Sequence, residues 1–297
     1  MTNKKLLISF DGGGARGIGP AYYLSKLLDG MPPLKVDAWA GTSVGSLVAS
    51  LAALYDVQTK QQWEYSVSLF KENLPKIFAI PSASFRLNLL NPKYDGANLK
   101  IILDNIFKVS STGKHILLSD LKTPIFIPTF DMIKGRVKVF DITDKVPISY
   151  AVMCSCAAPS YFAAVQRRYM DGGLVVNNPA MVGYAGCVGK CGWDPSSIYC
   201  LSLGTGDSWS NPGTEHCLLG WIQPILEACL DGGEEVGEYQ MNVILGDRFK
   251  RVDPKLPTAI KLDDVKSALT TYLTIWDKVI KTDAEGIKPW LLQYLNR

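Results

Sequence analysis

The chain has 297 residues, 47% of them apolar, and a formal net charge of +3. This length allows one large α/β core or two domains. The small charge, without any basic run, argues against a nucleic-acid partner. The N-terminus is too polar for a secretory signal, and no window approaches the roughly 20 apolar residues of a membrane-spanning helix. We therefore expect a cytoplasmic protein that binds no nucleic acid.

The cysteines predict neither disulfides nor a metal site. Their number, seven, is odd, and they lie in apolar surroundings without regular spacing, as expected for reduced thiols. Cys154-x-Cys156 and Cys187-x3-Cys191 are not usual zinc pairs, and no histidine is near either. We expect buried structural cysteines and no metal or other cofactor.

The chain begins with alternating strands and helices. KLLISF at 5–10 and VDAWA at 36–40 are apolar runs typical of buried strands, whereas Pro20–Leu28 and Ser46–Tyr55 have helical spacing. This βαβα opening predicts parallel strands joined by right-handed crossovers, with helices on both faces of the sheet.

Beyond this opening, residues 75–96 break the periodicity with prolines and bulky apolar residues, including Phe78, Phe85 and Leu89. Such a segment is typical of a lid or an interfacial loop. The remaining expected elements are a capped helix at Asp95–Phe107, strands at 124–132, 136–142 and 197–206, and a docked helix at 263–281.

Domain organisation is expected to be simple. No composition shift marks a boundary, so one domain is predicted for residues 1–297. Its motif-bearing core would cover about 5–210, with a helical region at about 211–297 packed on it.

The first chemical motif is FDGGGARGIG at 10–19, between a strand and a helix. Consecutive glycines let the backbone approach a ligand, and the amides of Gly12, Gly13 and Gly14 would converge beside a helix N-terminus, which suits an oxyanion hole. The stretch Gly12–Gly17 also fits a dinucleotide fingerprint, with Asp37 as the ribose-binding acid. Asp37 lies within the second strand, whereas a ribose-binding acid should follow the carboxyl end of that strand. An oxyanion hole is therefore favoured, and a non-hydrolytic nucleotide-binding protein is the alternative.

The second motif is GTSVG, in which Gly41 and Gly45 flank Ser43 between a strand and a helix. This order matches a nucleophile elbow, although a serine between glycines can also be a plain turn. Both glycine-containing turns lie at the carboxyl edge of the predicted sheet, where α/β proteins bind ligands. Their coincidence favours Ser43 as a nucleophile.

A serine nucleophile needs a base. Asp171, followed by Gly172 and Gly173 in YMDGG, could accept the proton directly if partial burial raised its pKa, although Asp-Gly pairs also cap turns. The two histidines, His115 and His216, lie in polar connections. A Ser-His-Asp esterase using His216 stays open because the order of the three residues fits an α/β-hydrolase triad.

DGGGARG, GTSVG and DGG, in this order, resemble the three signatures of the patatin-like phospholipase family, in its bacterial type with a single catalytic domain. Further similar stretches are YDG at 94–96, CAAPSYF at 156–162, NNP at 177–179, LSLGTG at 201–206 and RFKRVDPKLP at 248–257. The resemblance implies a three-layer α/β/α sandwich with a mostly parallel central sheet.

The resemblance also implies a mechanism. Ser43 and Asp171 would form a catalytic dyad, Gly12–Gly14 would form the oxyanion hole, and Arg16 would support the loop or a lipid headgroup. The expected activity is hydrolysis of acyl esters of membrane phospholipids during peripheral contact with the bilayer, without a cofactor.

Some bacterial members of this family are lipid-degrading effectors that a small nucleotide and self-assembly switch on. The resemblance therefore leaves open a cyclic-nucleotide activator, self-association and a role in antiphage defence, beside ordinary lipid turnover.

Overall fold

The computed structural model describes residues 4–79, 92–109, 111–207 and 222–295. The strands within these residues are β1 Lys5–Phe10, β2 Ala38–Gly41, β3 Ile125–Asp131, β4 Arg136–Asp141, β5 Tyr169–Asp171, β6 Ile198–Leu203 and β7 Phe249–Val252. The helices are α1 Ile18–Leu27, α2 Val44–Tyr55, α3 Lys60–Ile77, α4 Ala97–Ile106, α5 Ile148–Ser155, α6 Ala180–Gly189, α7 Ile222–Leu245, α8 Val265–Leu269 and α9 Thr271–Leu295.

The strands form one sheet in the order β4-β3-β2-β1-β6-β7, and β5 also pairs with β3. β1 is parallel to β2 and β6, β2 is parallel to β3, and β6 is parallel to β7. Only β4 and β5 run antiparallel to their neighbour β3. The sheet is therefore mostly parallel, and the carboxyl ends of β1, β2, β3 and β6 lie at one edge.

Alternate residues of each strand pack into two separate cores. Ile8 and Trp39 lie in the core that includes α1, α2, α3 and α9. Leu7 lies in the core on the other face, with Ala180 of α6 and Met241 of α7. The predicted three-layer α/β/α sandwich with a mostly parallel sheet is confirmed.

β2 and β5 meet end to end along one side of β3. β4 pairs with β3 from Phe126 to Asp131 and occupies the other side. β2 pairs with Ile125 and Phe126, and β5 pairs with the stretch from Thr129 to Asp131. Because β2 is parallel and β5 antiparallel to β3, their carboxyl ends point toward each other. Residues that follow β2 are therefore brought to the end of β5.

Three sequence predictions differ from the structure or fall outside the residues it describes. The helix expected at 263–281 is two helices, α8 and α9, because Thr270 between them has φ −124° and ψ −95°. The segment at 75–96 is still helical at its start, since α3 continues to Ile77. Residues 80–91, with Phe85 and Leu89, and His216 are outside the described residues. Across the described ranges, no helix has the length and apolar character needed to cross a membrane.

Candidate active site

Ser43 occupies a sharp turn between β2 and α2. Its φ of 52° and ψ of −129° are unusual for a residue with a side chain. The Ser43 amide donates to Ser155 Oγ (2.9 Å), and Ser155 Oγ donates to the Pro128 carbonyl (2.7 Å), which attaches the turn to β3. A Cβ at Gly45 would overlap the Phe10 carbonyl, so glycine is needed where α2 approaches β1.

The structure brings Ser43 and Asp171 into direct contact. Ser43 Oγ donates to Asp171 Oδ2 at 2.7 Å, and the Gly173 amide donates to Asp171 Oδ1 at 2.7 Å. The Asp171 amide donates to the carbonyl of Ala157 at 3.0 Å. Asp171 as a whole residue is 4% exposed. One carboxylate oxygen therefore contacts the serine directly, and the other is held by the backbone.

The remaining predicted glycines lie at close approaches in the same place. A Cβ at Gly41 would overlap the carbonyl of Gly45, and a Cβ at Gly172 would overlap the carbonyl of Pro128. A side chain at Gly41 would open the nucleophile turn itself, and one at Gly172 would push the Asp171 turn away from β3.

Burial raises the pKa of Asp171 to about 7, although the hydrogen bonds from Ser43 and Gly173 lower it in part. A base acts only when ionised, so if Asp171 is the base, activity should fall as the pH drops through this pKa. We expect kcat/KM for a short soluble ester to be level above pH 7 and to fall roughly tenfold per pH unit below it. A pH–rate profile measures this directly. An acid limb near pH 4 would instead indicate that Asp171 is not the titrating base.

The three glycines of the first motif lie beside the Ser43 turn. A Cβ at Gly12 would lie 3.2 Å from the Cβ of Ser43. The amide of Gly12 donates to the carbonyl of Asn177 at 3.3 Å, whereas the amides of Gly13 and Gly14 donate to no acceptor among the residues described. Of the three amides expected to bind an oxyanion, two are therefore unoccupied and the first is already engaged.

Arg16 contacts the loop after β6. Its Nη1 donates to the carbonyl of Gly206 at 2.9 Å, and the amide of Gly206 donates to Asp253 Oδ1 at 2.7 Å. The neighbouring amide of Ala15 donates to the carbonyl of Leu262 at 2.7 Å. Of the two roles that the resemblance suggests for Arg16, the contacts in the structure fit support of the loop.

Behind the glycines, Arg251 of β7 contacts four carboxylates. Its Nη1 lies 2.7 Å from Asp11 Oδ2, and its Nη2 lies 2.9 Å from Asp253 Oδ2. Glu234 and Glu238 of α7 each place a carboxylate oxygen 3.2 Å from the guanidinium. The side chains of Arg251 and Asp11 are 6% and 0% exposed. Because Asp11 directly precedes the three glycines, the guanidinium holds the start of their loop.

We call Asp11, Glu234, Asp253 and Arg251 the carboxylate cluster. Burial raises the pKa of Asp11 to about 7, with Arg251 lowering it in part, and burial also raises the pKa values of Glu234 and Asp253. Glu234 in addition accepts from the side-chain amide of Asn177. Three buried carboxylates share one buried guanidinium, which disfavours the ionisation of all three at once.

The structure does not support the dinucleotide alternative. Asp37 precedes β2 and so lies at the opposite end of the strand from the glycine loop. Its Oδ2 accepts the amide of Leu6 at 2.9 Å and the hydroxyl of Tyr294 at 2.6 Å. The acid expected to bind a ribose is thus a buried structural group at the amino edge of the sheet.

Of the two histidines, only His115 is described. Its Nδ1 lies 3.5 Å from Asp104 of α4, in a pair unconnected to the contacts of Ser43. The triad alternative therefore depends on His216, which the described ranges do not include.

Several residues of this site were not predicted from the sequence. Ser155, Glu234 and Arg251 stand in no recognisable spacing to the motifs. Arg251 lies in the family-like stretch RFKRVDPKLP, and an arginine in such a short strand demands partners, but the stretch does not say which carboxylates they are. Asn177 belongs to the NNP stretch, and that motif does not indicate its carbonyl contact with Gly12.

The family model of patatin-like phospholipase matches residues 8–184, which include every residue proposed above for the dyad and the glycine loop. The chain belongs to the patatin-like phospholipase family. The predicted resemblance is thereby confirmed. The match ends before β6 and β7, so Arg251 and helix α7 lie outside it.

Among family relatives, the cGAMP-activated phospholipase of Vibrio cholerae is 28% identical over 214 residues, which are 62% of this chain and 58% of that protein. The cUMP-AMP-activated phospholipase of Escherichia coli is 28% identical over 215 residues, 67% of this chain and 64% of that protein. Patatin-like protein 1 of Arabidopsis thaliana is 25% identical over 83% of this chain and 73% of that protein. The chain thus matches less than two thirds of either nucleotide-activated relative.

Among solved structures, human GIVD cytosolic phospholipase A2 covers 99% of this chain and 63% of its own, with a TM-score of 0.48 and 11% identity. VipD from Legionella pneumophila covers 94% of this chain and 67% of its own, with a TM-score of 0.46 and 13% identity. Family membership rests on the family model and not on these structures.

Proposed function

We propose that this chain is a serine acyl hydrolase of the phospholipase A or lysophospholipase type, acting on membrane glycerophospholipids through Ser43 and Asp171. The observation that carries the proposal is the 2.7 Å hydrogen bond from Ser43 Oγ to the buried carboxylate of Asp171. The pKa of about 7 supports it, since a base of that strength can take a proton at physiological pH.

In the first step, Asp171 accepts the hydroxyl proton as Ser43 Oγ attacks the ester carbonyl. The carbonyl oxygen becomes an oxyanion, which the unoccupied amides of Gly13 and Gly14 would bind. Such donors lower the barrier because they are fixed before charge develops. Collapse of the intermediate breaks the ester bond, and the proton on Asp171 passes to the departing alcohol or lysolipid oxygen.

In the second step, water attacks the acyl-serine ester. Asp171 takes the water proton, the same amides hold the second oxyanion, and the proton returns to Ser43 Oγ as the fatty acid leaves. Both steps close without a cofactor because one carboxylate alternates between base and acid.

We propose that the acyl chain enters at a small apolar cleft beside α2. It is bounded by α2, α3 and α4 and lined by Leu47, Leu51, Leu69, Phe70, Asn73, Leu74, Ile77, Ile102 and Ile106. Leu47 lies one helical turn after Ser43, so the cleft begins close to the nucleophile. Ile77 is part of the segment at 75–96, which we propose contacts lipid.

The flanks of that segment are anchored near the site. The ring centroid of Phe78 lies 5.3 Å from the ring centroid of Tyr94 and 6.1 Å from that of Phe162. Phe162 lies in the same stretch as Ala157, which accepts the amide of Asp171. Phe78 is thus a packed anchor of the segment, and a polar substitution there should reduce stability as well as activity.

We further propose that a cyclic dinucleotide activates the enzyme, that it works in peripheral contact with the inner face of the membrane, and that it can self-associate. Support for activation comes from the names of the Vibrio cholerae and Escherichia coli relatives, each described as a nucleotide-activated phospholipase. This part of the proposal would make the protein a switched effector, as in antiphage defence.

The test is release of fatty acid from phospholipid vesicles by the wild-type chain, with and without cyclic dinucleotides, against Ser43→Ala as the blank. We expect release by the wild type only, and more of it with nucleotide. Release by Ser43→Ala at the wild-type rate, or none by the wild type under any condition, would reject the hydrolase. Equal release with and without each nucleotide would reject activation alone.

A further inference from the structure

Two neighbouring turns at one edge of the sheet carry exposed apolar and cationic side chains. The β3–β4 turn presents Ile133 and Met132, which are 72% and 45% exposed, together with exposed Lys134 and Arg136. The second turn, just before β5, presents Arg167. We name these five residues the hairpin-tip patch.

The two turns are held side by side by the sheet. Asp131 pairs with Tyr169 across β3 and β5, and the amide of Met132 donates to the carbonyl of Arg168 at 2.8 Å. This bond puts Met132, at the start of the apolar tip, beside Arg168, the chain neighbour of Arg167. The apolar tip and the cation therefore belong to one surface.

The cations of the patch stand outside the ion pairs of the described residues. No ion pair involving Lys134, Arg136 or Arg167 occurs within the described residues. Asp131, which directly precedes the first turn, is buried and bound by Arg168 at 2.6 Å. Within the part of the chain that the structure describes, the patch therefore presents three positive charges without an ion-pair partner around two exposed apolar side chains.

The backbone conformation of the second turn is unusual for the residues that form it. Gln166 and Arg167 both have positive φ, 52° and 55°, a conformation that usually selects glycine or asparagine. Cations along the edge strand β4 would also discourage edge-to-edge pairing. That protection does not account for Ile133 at the tip, since an exposed isoleucine works against it.

The patch stands beyond the proposed active site on the same side of the sheet. β3 is parallel to the strand that leads to Ser43, and Thr129 pairs with Asp171. The tip begins three residues further along the chain, at Met132, roughly 10 Å beyond that pair. A flat surface touching the tip would therefore face the carboxyl edge that carries the dyad.

We propose that the hairpin-tip patch docks the enzyme on an anionic phospholipid surface, an inference that rests on the proposed function. Ile133 and Met132 insert among the acyl chains near the headgroups, while Lys134, Arg136 and Arg167 contact lipid phosphates. The dyad then faces the bilayer that supplies its substrate.

Binding is measured with the full chain in a Ser43→Ala background, so that vesicles stay intact. The vesicles are phosphatidylcholine alone and phosphatidylcholine mixed with phosphatidylglycerol. Lys134→Gln, Arg136→Gln and Arg167→Gln combined should weaken partition onto the anionic vesicles roughly a hundredfold, since each cation near such a surface contributes about fivefold. Ile133→Ser with Met132→Ser should weaken partition onto both kinds of vesicle.

Matched controls change the same chemistry elsewhere. Lys261→Gln, Lys278→Gln and Lys281→Gln remove three exposed charges, and Tyr239→Ser removes a side chain that is 72% exposed, as Ile133 is. The controls should bind within about threefold of the parent, a small fraction of the effect expected for the patch. The docking proposal would be overturned if the patch variants bound vesicles as well as the parent, or if the control variants lost as much binding as the patch variants. It would also be overturned if the parent bound anionic vesicles no better than phosphatidylcholine vesicles.

A second readout separates the two proposals. With Ser43 restored, patch variants should hydrolyse a short soluble ester at the wild-type rate while losing activity on anionic vesicles. A wild type without ester turnover would reject the hydrolase, whereas vesicle binding by the Ser43→Ala chains would still decide the docking surface.

Discussion

Exchange of Asp171 for asparagine is expected to lower turnover of a short soluble ester roughly 10⁴-fold, and Ser43→Ala should lower it at least as much. Asparagine keeps the acceptor for the Gly173 amide, but it cannot take a proton from Ser43. The measurement is kcat on a soluble substrate, so that membrane binding does not contribute. His216→Ala serves as the comparison and should retain turnover.

The stability of Asp171→Asn provides a control for folding. The folded state raises the pKa of Asp171 from its ordinary 3.8 to about 7. The contribution of Asp171 to the unfolding free energy is therefore fully present below pH 4. It falls by on the order of 4 kcal/mol as the pH rises toward 7. Asparagine never ionises, so above pH 7 the variant should unfold with a higher free energy than the wild type. An inactive variant that is less stable at pH 8 would leave misfolding as the cause, and an active one would contradict the dyad.

Arg251→Met is the second large effect that we expect. It leaves Asp11, Glu234 and Asp253 buried without their cation, which costs about 3–5 kcal/mol when the carboxylates are ionised. Burial raises the pKa values of all three carboxyl groups, that of Asp11 to about 7, so they take up protons as the pH falls toward 5 and the loss should shrink. Denaturant unfolding at pH 8 and pH 5 measures the difference. Lys250→Met, on the next residue of β7, is the matched control and should change the unfolding free energy by less than about 0.5 kcal/mol.

Glu234→Gln tests whether the cluster also positions the glycine loop. Glutamine keeps an acceptor for Asn177, whose carbonyl holds the amide of Gly12. We expect kcat within about threefold of wild type for Glu234→Gln, and a loss of about tenfold or more with an unchanged KM for Glu234→Ala, because oxyanion donors act in the transition state. Equal kcat for Glu234→Gln and Glu234→Ala would contradict the positioning role of Glu234. An equal loss of unfolding free energy for Arg251→Met at both pH values would contradict the role of Arg251 as the cation of the carboxylate cluster.

The sequence by itself determined the elements whose signals are local. Apolar runs and helical spacing indicated β1, β2, α1 and α2, because burial on one or both sides imposes a period on neighbouring residues. GTSVG predicted a strand-to-helix turn, since the close approach at Gly45 admits no side chain. Parallel strands then placed both glycine turns at one edge of the sheet.

Only the tertiary structure decided which distant groups meet. Asp171 reaches Ser43 because β5 continues along β3 where β2 ends, and no local pattern in a three-residue strand specifies that pairing. Arg251 contacts Asp11 across the sheet, and Gly12 gives its amide to Asn177. Such contacts depend on complementary charge and unpaired backbone groups brought together by folding, which leave no periodic trace in the sequence.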